Sequence, residues 1–387
     1  MHHHRHDDRR QFLKHSLLTL GAATTLGGVT LSFAQEGGKK YVCPPCGCAA
    51  DGKEFDQPGS CPACGMQLIE KGKPPQRVGN APTVAILVFN GVQIIDFTAP
   101  YEVFGAAGYD VFTVGANTSP VTTAMGLTVT PRYGFKDCPK VDVLVTPGGG
   151  IDDALSQGSV LSWIRARHEE TRHTLSVCNG AFFLAKSGLL DGKKATTFHN
   201  AIASLQAEYP KITVVSDRRF VDNGRVITTA GLSSGIDGAL HVVSVISGRG
   251  TAQLVALGLE YDWKEDATYA RASFADMHLR AIFGPRLQLE LPGGFKDKLE
   301  STQGDRMSWQ SCWSVASAGA APALLDAMRT AIAKRSSWKE IASEKAPTRT
   351  AWEFRDKEAR AWRADLEVTP ADKNPDLAAR LRLRLMA

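Results

Sequence analysis

The stretch "HTLSVCNGAFFLAKSGLL", residues 173–190, runs from strand-forming residues through a Cys-Asn-Gly turn into an apolar helical segment. A cysteine at a strand-to-helix turn is either an exposed nucleophile or a small buried hydrophobe. Four further apolar runs of the same form flank it: "TVAILVFN" (83–90), "YDVFTVG" (109–115), "VDVLVTPGGG" (141–150) and "RVITTAG" (225–231). Each is a continuous run bounded by a turn, as expected of a strand buried on both faces. Helical segments fall between them at "APYEVFGAAG", "SVLSWIRARHEET" and "SSGIDGALHVVSVISG". This alternation predicts an α/β, doubly wound parallel sheet over residues 83–265.

Beyond residue 265 the pattern changes. "MSWQSCWSVAS", "TAWEFRDKEARAWRADLEV" and the tail "LAARLRLRLMA" alternate like strands, with Leu381, Leu383 and Leu385 on one side and Arg380, Arg382 and Arg384 on the other. A helix is expected at "APALLDAMRTAIAKRSSWKEIAS", giving a small α+β domain over 266–387. Cys312, between Trp309 and Trp313, is read as a core residue.

The N-terminus reads as a targeting segment. "DDRRQFLK" places Arg9 and Arg10 before an uncharged stretch from Ser16 to Phe33, and "SFAQ" offers a cleavage site after Ala34. Residues 1–34 resemble a twin-arginine export signal, which implies the export machinery as a partner and a periplasmic or otherwise exported location. The uncharged stretch is at the short limit for a membrane span. The net charge of +5 is spread along the chain and does not form a nucleic-acid-binding arm.

Five of the eight cysteines fall within "YVCPPCGCAADGKEFDQPGSCPACGMQLIEKG". Cys43 and Cys46 are separated by two residues, as are Cys61 and Cys64, and fourteen residues lie between the pairs. Two such knuckles can bring four thiolates to one tetrahedral ion. A segment this short needs a metal or disulfides to hold it together. Three readings stay open: a structural Zn site, a sensing or delivery site for Zn or Cu(I), and two disulfides. Cys48 and Met66 are additional soft ligands for Cu(I). The ending "PGSCPACGMQLIEK" resembles the heavy-metal-binding module of metal efflux systems. That module is assigned to residues 35–72, followed by a Gly/Pro/Lys linker over 73–82.

In a doubly wound sheet, reactive groups collect at the carboxyl ends of the strands. Cys178 lies at such an end, and the start of the helix beyond it is expected to lower its thiol pKa. The "TPGGG" turn offers backbone N–H groups near Gly148 and Gly149 that, with that of Asn179, could hold an oxyanion.

The motifs "VAILVFNGVQIIDFTAPYEVF", "DVLVTPGGG", "SVCNGAFFLAKSGLLDGKKATTFH" and "RVITTAGLSSGIDGALHVV" resemble, in order and spacing, the ThiJ/PfpI superfamily. That superfamily shares the class I glutamine amidotransferase-like, flavodoxin-type fold. The branch most similar contains isonitrile hydratase and the amidotransferase-like halves of AraC-type regulators. The resemblance implies Cys178 as nucleophile, Asp96 as the acidic residue at the sulfur, and Gly149 and Asn179 as oxyanion-hole residues. His199 falls near a family histidine, displaced by Phe198. It further implies a cysteine-dependent hydrolase or lyase acting on a small electrophile without a cofactor in the α/β domain, and a homodimer. Two other readings remain, a metal- or redox-sensing protein and an AraC-type regulator. His241, in the apolar segment "ALHVV", is read as structural.

Overall fold

The computed structural model describes residues 39–43, 48–65, 68–71, 81–291, 296–316, 320–370 and 376–386. The chain divides into two compact units, Met1–Gln76 and Arg77–Ala387. The segment read as an export signal, Cys46, Met66 and most of the linker lie outside the described residues.

In the first unit, β1 (Tyr41–Val42) pairs antiparallel with both β2 (Glu54–Phe55) and β3 (Ile69–Glu70). Its buried centre is Cys43, Ala50 and Cys61, with Cys48, Phe55 and Leu68 packed against them. That is far too little apolar surface to fix a fold, so the sulfurs must supply what packing does not.

The second unit opens with β4 (Thr83–Leu87), α1 (Ile94–Ala106) and β5 (Asp110–Gly115). A two-strand ribbon follows, β6 (Val121–Thr122) with β7 (Thr128–Val129), and then β8 (Tyr133–Gly134). Next come β9 (Val143–Thr146), α2 (Asp152–Ser156), α3 (Gly158–Glu170), β10 (His173–Ser176) and α4 (Ala181–Lys186). β11 (Lys194–Ala195) and β12 (Thr213–Val214) pair around α5 (Ile202–Glu208). β13 (Phe220–Asp222), β14 (Val226–Thr229), α6 (Ser234–Ser247) and α7 (Arg249–Gly258) complete this half.

The main sheet has the order β13-β14-β10-β9-β4-β5-β8. All its pairings are parallel except β13 with β14, so the expected parallel sheet carries one antiparallel edge strand. β9 and β14 are buried at every residue, because helices cover both faces of the sheet. α1 begins five residues before the segment singled out in the sequence and includes Asp96.

The remainder is an α+β layer, as expected. α8 (Met277–Phe283) precedes β15 (Lys296–Gly304), β16 (Ser308–Ala316) and α9 (Ala321–Arg335). β17 (Lys339–Glu340), β18 (Arg349–Arg355), β19 (Ala361–Pro370) and β20 (Leu377–Leu385) follow. These strands form an antiparallel sheet of order β15-β16-β20-β19-β18-β17. Leu324, Leu325, Met328 and Ile332 of α9 and the alternate residues Trp362, Ala364, Leu366 and Val368 of β19 belong to one core.

Two expectations need correcting. The helix stops at Arg335, where Ser336 Oγ donates to the Ile332 carbonyl (2.8 Å), and Lys339–Glu340 joins the sheet edge instead. Cys312 is not a core residue: Trp309 and Trp313 are odd-numbered and buried, and strand alternation turns Cys312 to the opposite, partly exposed face.

Candidate active site and metal centre

β10 ends one residue before an extended Val177, and the chain then turns through a short 3₁₀ segment, Cys178–Gly180, into α4. Cys178 has φ 60°, the left-handed region that costs a side-chain-bearing residue about 1–3 kcal/mol. Its surroundings hold it there. The Cys178 N–H donates to the Ala230 carbonyl at 3.1 Å, and Thr197 Oγ1 donates to the Cys178 carbonyl at 2.9 Å. The turn also requires Gly180, since a Cβ there would sit 2.0 Å from the Thr146 carbonyl oxygen. A Cβ on Gly148 would meet Asn179 Oδ1 at 2.1 Å, so the Gly-rich loop after β9 lies directly against the elbow.

Asp96 is fully buried in the first turn of α1 beside the Cys178 sulfur. It does not cap the helix; its Oδ2 accepts the Gly148 N–H at 3.2 Å. Among the described residues its buried Oδ1 has no hydrogen-bond partner. Burial pushes the Asp96 carboxyl up to about 6, although contacts with Cys178, Gly148 and the Leu232 backbone pull it down.

The expected lowering of the Cys178 thiol is not found. Burial, at 6% exposure, pushes the thiol well above its ordinary range, and the Asp96 charge adds to this. The backbone N–H groups of Asn179 and Leu232 pull the other way without prevailing. α4 spans only six residues, so the dipole expected of it is small, and desolvation wins. These shifts favour the proton on sulfur and the charge on the carboxylate at neutral pH.

The oxyanion-hole expectation is also revised. The Gly149 N–H donates to Asn179 Oδ1 (2.7 Å), and Asn179 Nδ2 donates back to the Gly149 carbonyl (2.8 Å). Gly149 is thus engaged in locking the two loops together, while Asn179 does present its backbone N–H to the sulfur. The second such N–H belongs to Leu232, a residue that sequence reasoning does not select. Its φ is 56°, and a bulky residue in "AGLSSG" gives no sign of that turn in the sequence.

His199 makes no hydrogen bond to Cys178 among the described residues. It is half-buried, and burial together with Arg280 and Arg271 lowers its pKa to about 4. His241 Nε2 donates to Asp222 Oδ2 (2.8 Å), and its ring packs at a tilt against Phe220, a structural role. A cavity of about 270 Å³ opens at the carboxyl ends of β4 and β5, lined by Phe89, Asn90, Asn117, Phe135 and Gln157 among others. It does not include Cys178 or Asp96.

In the first unit, the Sγ atoms of Cys43, Cys48, Cys61 and Cys64 all lie within 4.8 Å of one another. Adjacent pairs are 3.5–3.9 Å apart. Tetrahedral Zn–S bonds of about 2.3 Å place sulfurs about 3.8 Å apart, so the set fits one ion. These spacings far exceed a disulfide bond, so no two of these four sulfurs are joined to one another. The fourth sulfur is Cys48, where the knuckle spacing points to Cys46; the latter lies outside the described residues. Burial raises the Cys61 thiol, but the backbone N–H groups of Ala63 and Cys64 and the neighbouring thiols outweigh it, bringing it down to about 7.

Comparisons with known proteins agree with this division. The heavy metal binding domain model matches residues 40–71, and the DJ-1/PfpI family model matches residues 82–245. Isonitrile hydratase of Pseudomonas putida is 38% identical over 46% of this chain and 78% of its own length. The HTH-type transcriptional regulator GbdR of Pseudomonas aeruginosa is 26% identical over 48% of this chain, which spans about half (52%) of that protein. The crystal structure of a ThiJ/PfpI family protein from Pseudomonas syringae covers 55% of this chain and 92% of its own, with 28% identity and a TM-score of 0.48. A flavodoxin-like sheet with a cysteine elbow and a carboxyl at the sulfur, the family-model match and the 38% identity to isonitrile hydratase lead to one conclusion: the chain belongs to the DJ-1/PfpI family.

Proposed function

We propose that the protein is an exported hydratase or hydrolase that adds water to a small electrophile, an isonitrile first among them, with Cys178 as nucleophile and Asp96 as acid/base. The observation that carries this reading is a strained elbow cysteine beside a fully buried carboxyl whose Oδ1 has no hydrogen-bond partner among the described residues. Likeness to an isonitrile hydratase supports the substrate class. Export rests on the Arg9-Arg10 segment alone.

The chemistry follows from the shared proton. As the sulfur lone pair forms a bond to the isonitrile carbon, the Asp96 carboxylate takes the thiol proton and passes it to that carbon, leaving a thioimidate. Water then adds to the same carbon, with one of its protons going to nitrogen. Collapse breaks the C–S bond; the hydroxyl proton returns through Asp96 to the sulfur, and an N-substituted formamide departs. The N–H groups of Asn179 and Leu232 stabilise negative charge on sulfur during attack and departure.

Assay of a panel of isonitriles, aldehydes and amides with wild type, Cys178→Ser and Cys178→Ala tests this. Turnover of at least one compound is expected, reduced by about a thousandfold or more in both variants. Unchanged turnover in the variants would eliminate the covalent route, and no turnover of any compound would favour the second reading. That reading is a metal- or redox-sensing protein, favoured by the four-sulfur cluster. The regulator likeness supports DNA binding less well, since a six-stranded sheet follows the α/β domain in this chain.

In the first unit, the four thiolates would hold Zn or Cu(I), whose role is to fix the module and supply no step at Cys178.

A further inference from the structure

The cavity of about 270 Å³ at the carboxyl ends of β4 and β5 lies apart from the Cys178 elbow, and its lining has a chemistry of its own. Its buried lining is apolar: Phe89 follows β4, and Val160 comes from α3. Phe135, half-buried, stacks on Trp163 with ring centroids 4.5 Å apart. None of the lining residues carries a charge. The exposed lining residues include three primary amides, Asn90, Asn117 and Gln157. The backbone orients two of them. Asn90 Oδ1 accepts the Thr122 N–H at 2.9 Å, and Asn117 Oδ1 accepts the Ser119 N–H at 2.8 Å. Only the oxygen of an amide can meet an N–H, so the end left over in each side chain is the Nδ2 donor. Among the described residues neither Nδ2 has a hydrogen-bond partner.

We propose that this cavity is a second small-molecule site, for an uncharged ligand with an apolar body and a hydrogen-bond acceptor at one end. The apolar body displaces water from Phe89, Phe135 and Val160, and the acceptor meets the Nδ2 groups of Asn90 and Asn117. An ionised ligand is disfavoured, because no lining residue offers an opposite charge to offset its desolvation. A ligand that presents only donors is disfavoured as well, since both asparagine oxygens are already engaged. The position also suits a ligand: open α/β sheets bind small molecules beyond the carboxyl ends of their parallel strands, and β4 and β5 are such a pair. Neither Cys178 nor Asp96 lines the cavity, so its occupant is distinct from whatever reacts at the elbow.

Binding here does not depend on turnover at Cys178, so the test reads binding alone. Three molecules of nearly the same shape serve as probes: benzamide, neutral with a carbonyl acceptor; benzoate, anionic; and benzamidine, cationic at neutral pH. Each is titrated into the full chain at pH 7.5 and followed by saturation-transfer NMR. Benzamide is expected to bind with a Kd of about 1 mM, at least about tenfold tighter than either charged probe. The double variant Asn90→Asp, Asn117→Asp keeps both oxygens for the Thr122 and Ser119 N–H groups but removes both Nδ2 donors, at exposed positions. It is expected to weaken benzamide about tenfold and to bind benzamidine more tightly than the wild type does. Cys178→Ala is expected to bind benzamide like the wild type. The assignment is overturned by absence of saturable benzamide binding, by equal binding of the three probes, or by undiminished benzamide binding in the double variant. If the double variant does not fold, undiminished binding in Asn117→Asp does so. Loss of binding in Cys178→Ala would place benzamide at the elbow and overturn it too.

Discussion

Two regions of this chain use cysteine in opposite ways. At the elbow, one sulfur is buried beside a carboxyl, and desolvation keeps its proton on. In the N-terminal module, four sulfurs converge, and backbone N–H groups with neighbouring thiols bring Cys61 down to about 7 despite burial. The difference lies in what replaces water. The module offers several donors and room for a cation, so a thiolate at Cys61 is favoured there. The elbow offers two N–H groups and a competing negative charge, so desolvation keeps the proton on sulfur.

The sharpest way to break this contrast is to remove one sulfur from the cluster. Cys48→Ser is expected to weaken metal retention at least about tenfold, measured by elemental analysis after dialysis against a mild chelator. Cys46→Ser is expected to retain metal like the wild type. Turnover at Cys178 should be the same in both. A loss of metal in Cys46→Ser with retention in Cys48→Ser would reassign the fourth ligand. A parallel fall in turnover would show that the metal centre and the elbow do not act independently.

The second test concerns the buried carboxyl. The folded-state pKa of Asp96 is raised, chiefly by desolvation, from 3.8 to about 6. A raised pKa means that the folded protein binds this proton more tightly than the unfolded chain. Its stabilising effect is complete below pH 4 and lost as pH rises through 6. Above pH 6 the buried charge therefore costs up to about 3 kcal/mol, at 1.36 kcal/mol per pKa unit. Asp96→Asn is expected to be more stable than wild type at pH 7.5 in urea denaturation, with the gain vanishing near pH 4, and to lose turnover. A variant less stable at pH 7.5 would mean that the carboxylate is a structural anchor rather than a strained functional group.

Much of this is legible in the chain itself. Parallel strands buried on both faces are continuous apolar runs, and the five such runs in the sequence are β4, β5, β9, β10 and β14. The alternating Leu and Arg of the tail likewise announce β20. Less legible are features set by distance through space. Whether a thiol is stabilised by a helix start or destabilised by burial depends on how deep it sits, and "SVCNGAFF" does not encode depth. Knuckle spacing ranks Cys48 behind Cys46 because it is a rule about sequence, whereas ligation depends on where a turn delivers the sulfur. Leu232 gives no signal because its contribution is a backbone N–H, and a backbone N–H has no residue type.

The smallest effect is expected at His199, which tests whether the site contains a second acid/base group. Burial, Arg280 and Arg271 depress its pKa to about 4 from 6.5, so the imidazole is neutral throughout pH 6–8. A depressed histidine stabilises the fold above its unfolded pKa, and that contribution is lost as pH falls from 6.5 through 4. His199→Gln keeps a neutral polar side chain beside Phe198. It is expected to change kcat/KM by less than about twofold, because no proton held at His199 is available at working pH. The variant should also lose less stability than wild type between pH 6 and 4. A rate profile that loses a limb near pH 6.5 in His199→Gln would show that the histidine titrates during turnover, and the elbow would then be served by two acid/base groups instead of one.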